Sequence, residues 1–167
     1  FQAACLLKAR QSKKVVDKML ELWIAHYGVP EKLITDLGGE FEGDWNMMCE
    51  AYGIDSKVAA AHAQWMNGIA ERHGKILGTI WDKLCHQFDV RNRKGCKRAL
   101  AIAVQAKNAT LTRNGITAEQ AVFGRSLRWS ETANADDDEI MMSVLGNDGP
   151  AWLEAQMRAA ARIAMIS

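Results

Sequence analysis

No apolar run in this chain approaches the roughly 18 consecutive residues needed to span a bilayer, so the sequence predicts no membrane-crossing helix. Its opening residues, FQAACLL, lack the charged, apolar and small-residue order of a signal peptide. The four cysteines, Cys5, Cys49, Cys85 and Cys96, lie far apart and form no CxxC pair. That pattern excludes a zinc knuckle and a dense disulfide scaffold, and it predicts reduced, intracellular thiols. Neither sign of charge is in excess. The formal net charge of +1 argues neither for nor against nucleic acid, because a local patch decides that more than the total does. No internal repeat is visible, and Trp45, Trp65 and Trp81 are too isolated to build a stacking platform for single strands.

What is present is ample core material: 49% of the 167 residues are apolar, enough for one globular domain with an appended helix. Charge comes in blocks. From Glu71 to Arg113 there are ten Lys or Arg against three Asp or Glu, whereas 131–139 holds Glu131, Asp136, Asp137, Asp138 and Glu139 with no basic residue. These blocks mark a basic helical stretch and an acidic linker. The chain starts on what reads as a strand already under way and ends inside a helical pattern, so a piece of a longer polypeptide is expected.

Hydrophobic spacing gives the order of elements. Residues 1–8 read as a strand. Ser12 is expected to cap a helix whose Val16, Leu20, Trp23, Ile24 and Tyr27 share a face, ended by Gly28 and Pro30. Lys32 to Thr35 reads as a short buried strand, Asp44 to Tyr52 as a helix closed by Gly53, and Ile54 to Ala60 as a further strand. From Gly68, the residues Ile69, His73, Ile76, Leu77, Ile80, Leu84 and Phe88 form one helical stripe, and Glu71, Lys75, Gly78 and Asp82 another. Arg91 to Arg98 reads as a basic connector to a helix over Ala99 to Leu111. Thr117 and Gln120 predict a capping box for a short helix closed by Gly124. Pro150 opens a last helix with an apolar face that nothing in the sequence obviously covers. Strands alternating with helices, followed by several helices, predict an α/β fold with trailing helices.

Within this order the stretch TDLGGEF is chemically distinctive. Gly38 and Gly39 are expected to turn the chain sharply after the strand, so that Asp36 projects from the strand's carboxyl end, where sites collect in α/β sheets. Glu71 stands in what reads as the first turn of a helix. Paired carboxylates on neighbouring elements suit a hard divalent cation such as Mg²⁺, although most Asp and Glu residues are merely solvated charges.

The words around these two residues, HYGVPEKLITDLGGEF, then AYGI, then WMNGIAERHGKIL, and downstream NATLTRNGITAEQAVFGR, resemble the catalytic core of retroviral and long-terminal-repeat retrotransposon integrases. The resemblance covers about residues 1–127 and implies an incomplete ribonuclease H-like α/β fold that lacks its first two strands. An acidic linker over 128–149 and the start of a C-terminal helix at 150–167 would follow. It further implies that Asp36 and Glu71 are two members of a metal-binding acidic triad using Mg²⁺ or Mn²⁺, with DNA as partner, a nuclear site of action and a homo-oligomeric parent. The parent reaction would be 3′-end processing and strand transfer, in which two ions clamp an in-line phosphoryl transfer. Lys75 takes a DNA-contacting position in that family, and Asn67, Gly68, Arg72 and the basic Arg91, Arg93 and Lys94 are expected to meet DNA phosphates with it. For Lys75 the alternative is an i, i+4 partner of Glu71, and for Asn67 a helix cap. His73 falls on the apolar stripe and reads as a buried, hydrogen-bonded histidine.

The chain also departs from the pattern. HAQWM stands where a Pro is common, Ala118 where Pro is usual, and the Asp36 to Glu71 spacing is one residue short. The first acidic residue of the triad has no counterpart here, since Asp17 sits as a solvated charge on the first helix. A catalytically silent transposon remnant that at most binds nucleic acid is therefore the alternative reading. A ribonuclease H-type nuclease would share the acidic pair but lack the downstream words.

Overall fold

The computed structural model describes residues 1–59, 64–110, 112–126 and 150–166. The expected acidic linker over 128–149, and His62, lie outside the described residues. The fold is mixed α/β, mostly helical, with two small two-stranded sheets. It divides into two compact units, one comprising Ala3–Gly74 and the other Phe1–Gln2 with Lys75–Ser167.

In the first unit α1 (Ser12–Met19) runs through a π-helical turn (Leu20–Ile24) into α2 (Ala25–Tyr27), and Gly28 ends it at φ +82, a left-handed value that favours glycine. β1 (Lys32–Thr35), α3 (Asp44–Tyr52) and β2 (Asp55–Val58) follow as a strand–helix–strand unit, with β1 and β2 parallel and Lys32 in register with Asp55. Trp45, Met48 and Cys49 of α3 form the buried cluster with Ile54, and Val15, Val16, Met19, Leu20, Ile24, Leu33 and Phe41 pack around it. Trp23 stands outside that cluster and meets Tyr27 with ring centroids 4.9 Å apart and planes tilted by 50°.

Ser12 does something other than cap its own helix. Gln11 is the residue that precedes α1, and it makes no side-chain cap. Ser12 Oγ instead accepts the Trp45 backbone N–H at 2.9 Å and donates to the Glu42 carbonyl. It thereby satisfies an N–H in the first turn of α3, whose own N-cap, Gly43, has no side chain to offer. The strand β1 is less buried than its apolar letters suggest. Thr35 is buried and Leu33 half-buried, but Ile34 is 46% exposed, because the two-stranded sheet leaves one face open.

The second unit contains most of α4 (Gln64–Gln87), then α5 (Arg93–Thr110), the hairpin β3 (Thr112–Arg113) and β4 (Ile116–Thr117), α6 (Ala118–Phe123) and α7 (Pro150–Ile166). α5 begins at Arg93, so much of the expected basic connector is its first turns; Asn92 Oδ1 caps it by accepting the Gly95 N–H at 2.8 Å. Asn114 and Gly115, both at positive φ, make the two-residue turn between β3 and β4. The capping box of α6 is present in full: Thr117 Oγ1 accepts from Gln120 N at 3.1 Å, and Gln120 Oε1 accepts from Thr117 N at 2.9 Å.

The apolar face of α7 is covered in part, with Leu153 and Ile163 left 41% and 67% exposed. It packs on α5, where Ala99, Ala103 and Ala106 are fully buried at helical spacing and admit close approach. Met157 and Ala161 of α7 are buried to 1% and 0% exposure. At the margin Arg158 bonds Gln105 and pairs with Glu154 at 2.7 Å, and Arg98 lies 3.9 Å from Glu154. Residues 1–8 form no strand. Asn108, 1% exposed, holds Gln2 with two bonds, accepting from its N–H at 3.0 Å and donating to its carbonyl at 2.8 Å. A side-chain amide thus takes the place of a neighbouring strand.

Candidate functional site

Asp36 is the first residue beyond β1, at the carboxyl end of a parallel strand. Its carbonyl accepts the Gly38 N–H at 3.0 Å, and the Gly38 carbonyl accepts the Phe41 N–H at 2.9 Å, which leads into a 3₁₀ turn over Gly39–Phe41. Leu37 at the tip is 79% exposed. Neither Gly38 nor Gly39 takes a positive φ, so the turn does not use the freedom expected of them. Gly38 instead leaves room for Glu40, whose carboxylate folds back until Oε2 is 2.7 Å from where a Cβ at position 38 would stand. Thr35 Oγ1 is buried without a hydrogen-bond partner, but strand alternation turns it to the face opposite Asp36.

Glu71 lies in the second turn of α4, because the helix starts at Gln64. Asn67 and Gly68 are inside the helix and do not form its cap; the weak helix preference of Asn-Gly is absorbed by the turns on either side. The side chain of Asn67 lies outside the described residues. Arg72 and Lys75 are exposed, and Lys75 is about 6 Å further along the axis than Glu71. No ion pair joins Glu71 to Lys75 among the described residues, so the lysine is not engaged as its i, i+4 partner. Of the expected apolar stripe, Leu77, Ile80 and Leu84 are buried but Ile69 at its start is 68% exposed, whereas Glu71, Lys75 and Asp82 face solvent as the spacing predicts. Arg91 pairs with Asp89 at 2.7 Å, and Arg93 and Lys94 stand exposed in the first turn of α5.

Asp36 and Glu71 belong to the same compact unit, both exposed, and neither carboxylate has an ion pair or side-chain hydrogen bond among the described residues. Their oxygens are open to a cation. Among the described residues, however, no three His, Cys, Asp or Glu side chains converge on a point that could hold a metal ion. A hard divalent cation takes six or more oxygens, so two carboxylates make part of a cage and not a whole one. Two further features were not read from the sequence. Lys107 is buried at 4% exposure, and desolvation pushes its ammonium below the usual lysine value. Cys85, near the end of α4, has its thiol pushed above the ordinary value by burial, with smaller contributions from Cys96 and Asp82.

No family model, curated protein or solved structure matches this chain. No described helix is long and apolar enough to cross a membrane.

Proposed function

We propose that this chain is part of an integrase-like DNA strand-transferring enzyme with an incomplete ribonuclease H-like fold, in which Asp36 and Glu71 supply two of three metal-binding carboxylates. The observation that carries the reading is the placement of Asp36. It leaves the carboxyl end of a parallel strand in a strand–helix–strand unit, exposed and unpaired, with Glu71 equally unengaged on the following long helix. The integrase-like words of the sequence fall on these elements.

In this reading Asp36 and Glu71 present oxygens to Mg²⁺ or Mn²⁺, and the triad's first carboxylate has no counterpart in this chain. The cation, when bound, supplies Lewis-acid stabilisation to a phosphate undergoing in-line attack. Arg72, Lys75, Arg93 and Lys94 position the DNA backbone by meeting phosphates, and they carry no base specificity. Asn67, Gly68 and Arg91 belong to the same proposed DNA-facing set.

Manganese binding to the 167-residue chain, read by electron paramagnetic resonance of free Mn²⁺, tests the metal half. Asp36→Asn and Glu71→Gln should each weaken binding about tenfold or more, and wild-type affinity in both would overturn the assignment. The second reading, a silent remnant that only binds nucleic acid, is favoured by the lack of a converging acidic trio among the described residues. It predicts salt-dependent DNA binding that Lys75→Ala weakens, with no Mn²⁺ binding above that of the double mutant.

A further inference from the structure

Asn108 stands in the last turn of α5 and Phe123 ends α6, two packed helices joined by the β3–β4 hairpin. Between them they hold Phe1 and Gln2, which belong to the same compact unit. The Asn108 carboxamide accepts the Gln2 N–H at 3.0 Å and donates to the Gln2 carbonyl at 2.8 Å, so it engages both main-chain polar groups of one residue, as an antiparallel strand does. The Phe1 ring meets Phe123 edge to face, with centroids 5.7 Å apart and planes at 82°. Recognition is thus of backbone and of one aromatic ring. Gln2 Oε1 is buried with no hydrogen-bond partner among the described residues, which offsets part of what the two bonds contribute. Phe1 and Phe123 are 39% and 42% exposed, so the docked segment lies at the surface and can leave without opening a core.

From Ala3 the chain belongs to the other compact unit, and residues 3–11 carry no helix or strand. A short segment docked on one unit and joined by irregular chain to the other is an element that two copies can exchange without making new contacts. We propose that the clasp of Asn108 and Phe123 is an exchange site, which takes Phe1 and Gln2 from a second copy of this chain in place of its own. The partner copy then contributes the ring that Phe123 meets and the backbone that Asn108 holds. A second copy is the occupant because it carries the very segment that the clasp already fits. The chain's own segment competes at an effective concentration of the order of millimolar, because the connecting chain is short. Exchange is therefore weak in the intact protein and rises when the competing segment is disabled.

The test removes that competition. Phe1→Ala with Gln2→Pro deletes the ring and the N–H and vacates the clasp, whereas Asn108→Ala destroys the clasp and leaves the segment intact. The isotope-labelled clasp-vacant chain is titrated with the unlabelled Asn108→Ala chain to about 1 mM, matching the lost cis concentration, and the Asn108 side-chain amide is followed by NMR. The double substitution should shift that signal from its wild-type position, and the donor chain should return it, with the Phe123 amide moving alongside. Unlabelled clasp-vacant chain should leave it unmoved. A synthetic peptide of residues 1–10 with Cys5→Ser should produce the same return and needs no fold, so the test stands even where Asn108→Ala does not fold. An Asn108 signal that the double substitution leaves in place, no return with either donor, or an equal return with unlabelled clasp-vacant chain would overturn the proposal.

Discussion

Replacing Ser12 with alanine separates two accounts of that residue. If it capped its own helix, its loss would loosen α1 alone. In the structure its hydroxyl accepts the Trp45 N–H and donates to the Glu42 carbonyl, so removal leaves the Trp45 N–H only its longer bond to that carbonyl, at 3.1 Å. Loss of such a cap costs about 1 kcal/mol, and the Glu42 carbonyl that still accepts the Trp45 N–H keeps the cost from the upper end of the range. That amounts to roughly a fivefold change in the folded-to-unfolded ratio for each kcal/mol. Urea unfolding followed by circular dichroism reads the total. Amide hydrogen exchange reads its location: the Trp45 amide should exchange several-fold faster in Ser12→Ala, and the amides at the start of α1 much less so. A variant whose Trp45 amide keeps wild-type protection, or whose stability falls by under about 0.3 kcal/mol, would falsify the cross-helix cap.

Three other perturbations bear on the second unit. Met157→Ala empties a site with 1% exposure where α7 meets α5 and should cost about 2–4 kcal/mol, visible as a lowered urea midpoint; a cost near zero would mean that α7 does not dock there. Gly95→Ala, which stabilises an ordinary helix, should here destabilise by about 1 kcal/mol, because the new methyl meets Val90 Cγ1 at 2.6 Å. Lys107→Met should raise stability at pH 7 by about 1 kcal/mol by removing a buried ammonium. Because the folded protein holds that proton less tightly than the unfolded chain, wild-type stability climbs with pH from the lowered folded value up to about 10.5. The advantage of the methionine variant should therefore shrink across that window, and a pH-independent difference would count against a desolvated lysine.

Legibility in the sequence followed the range of the interactions. The strand over Lys32–Thr35, the closing glycines 28, 53 and 124, and the Thr117–Gln120 box are each decided within a few residues, and they stand where the spacing placed them. The Asn-Gly turn at 114–115 was equally local, and its signal was present in RNGIT. Around the candidate site, the position of Asp36 beyond β1 and the exposure of Glu71 and Lys75 were readable from periodicity. The turn after Asp36 was not, because Gly38 answers to the Glu40 carboxylate and not to its own backbone. Asn67 and Gly68 were misplaced at a helix end, since local propensity is a weak prior against a long helix on both sides.

By itself the sequence determined the periodic stripes, the caps and the exit of an aspartate from a strand, because these depend on bonds and steric limits between near neighbours. Only the tertiary structure decided that Ser12 serves α3, that Asn108 stands in for a strand beside Gln2, and that α7 packs on α5. Each of those outcomes rests on groups distant in sequence or carried on different elements. Their geometry exists only once the intervening chain has packed, and no period or spacing encodes it.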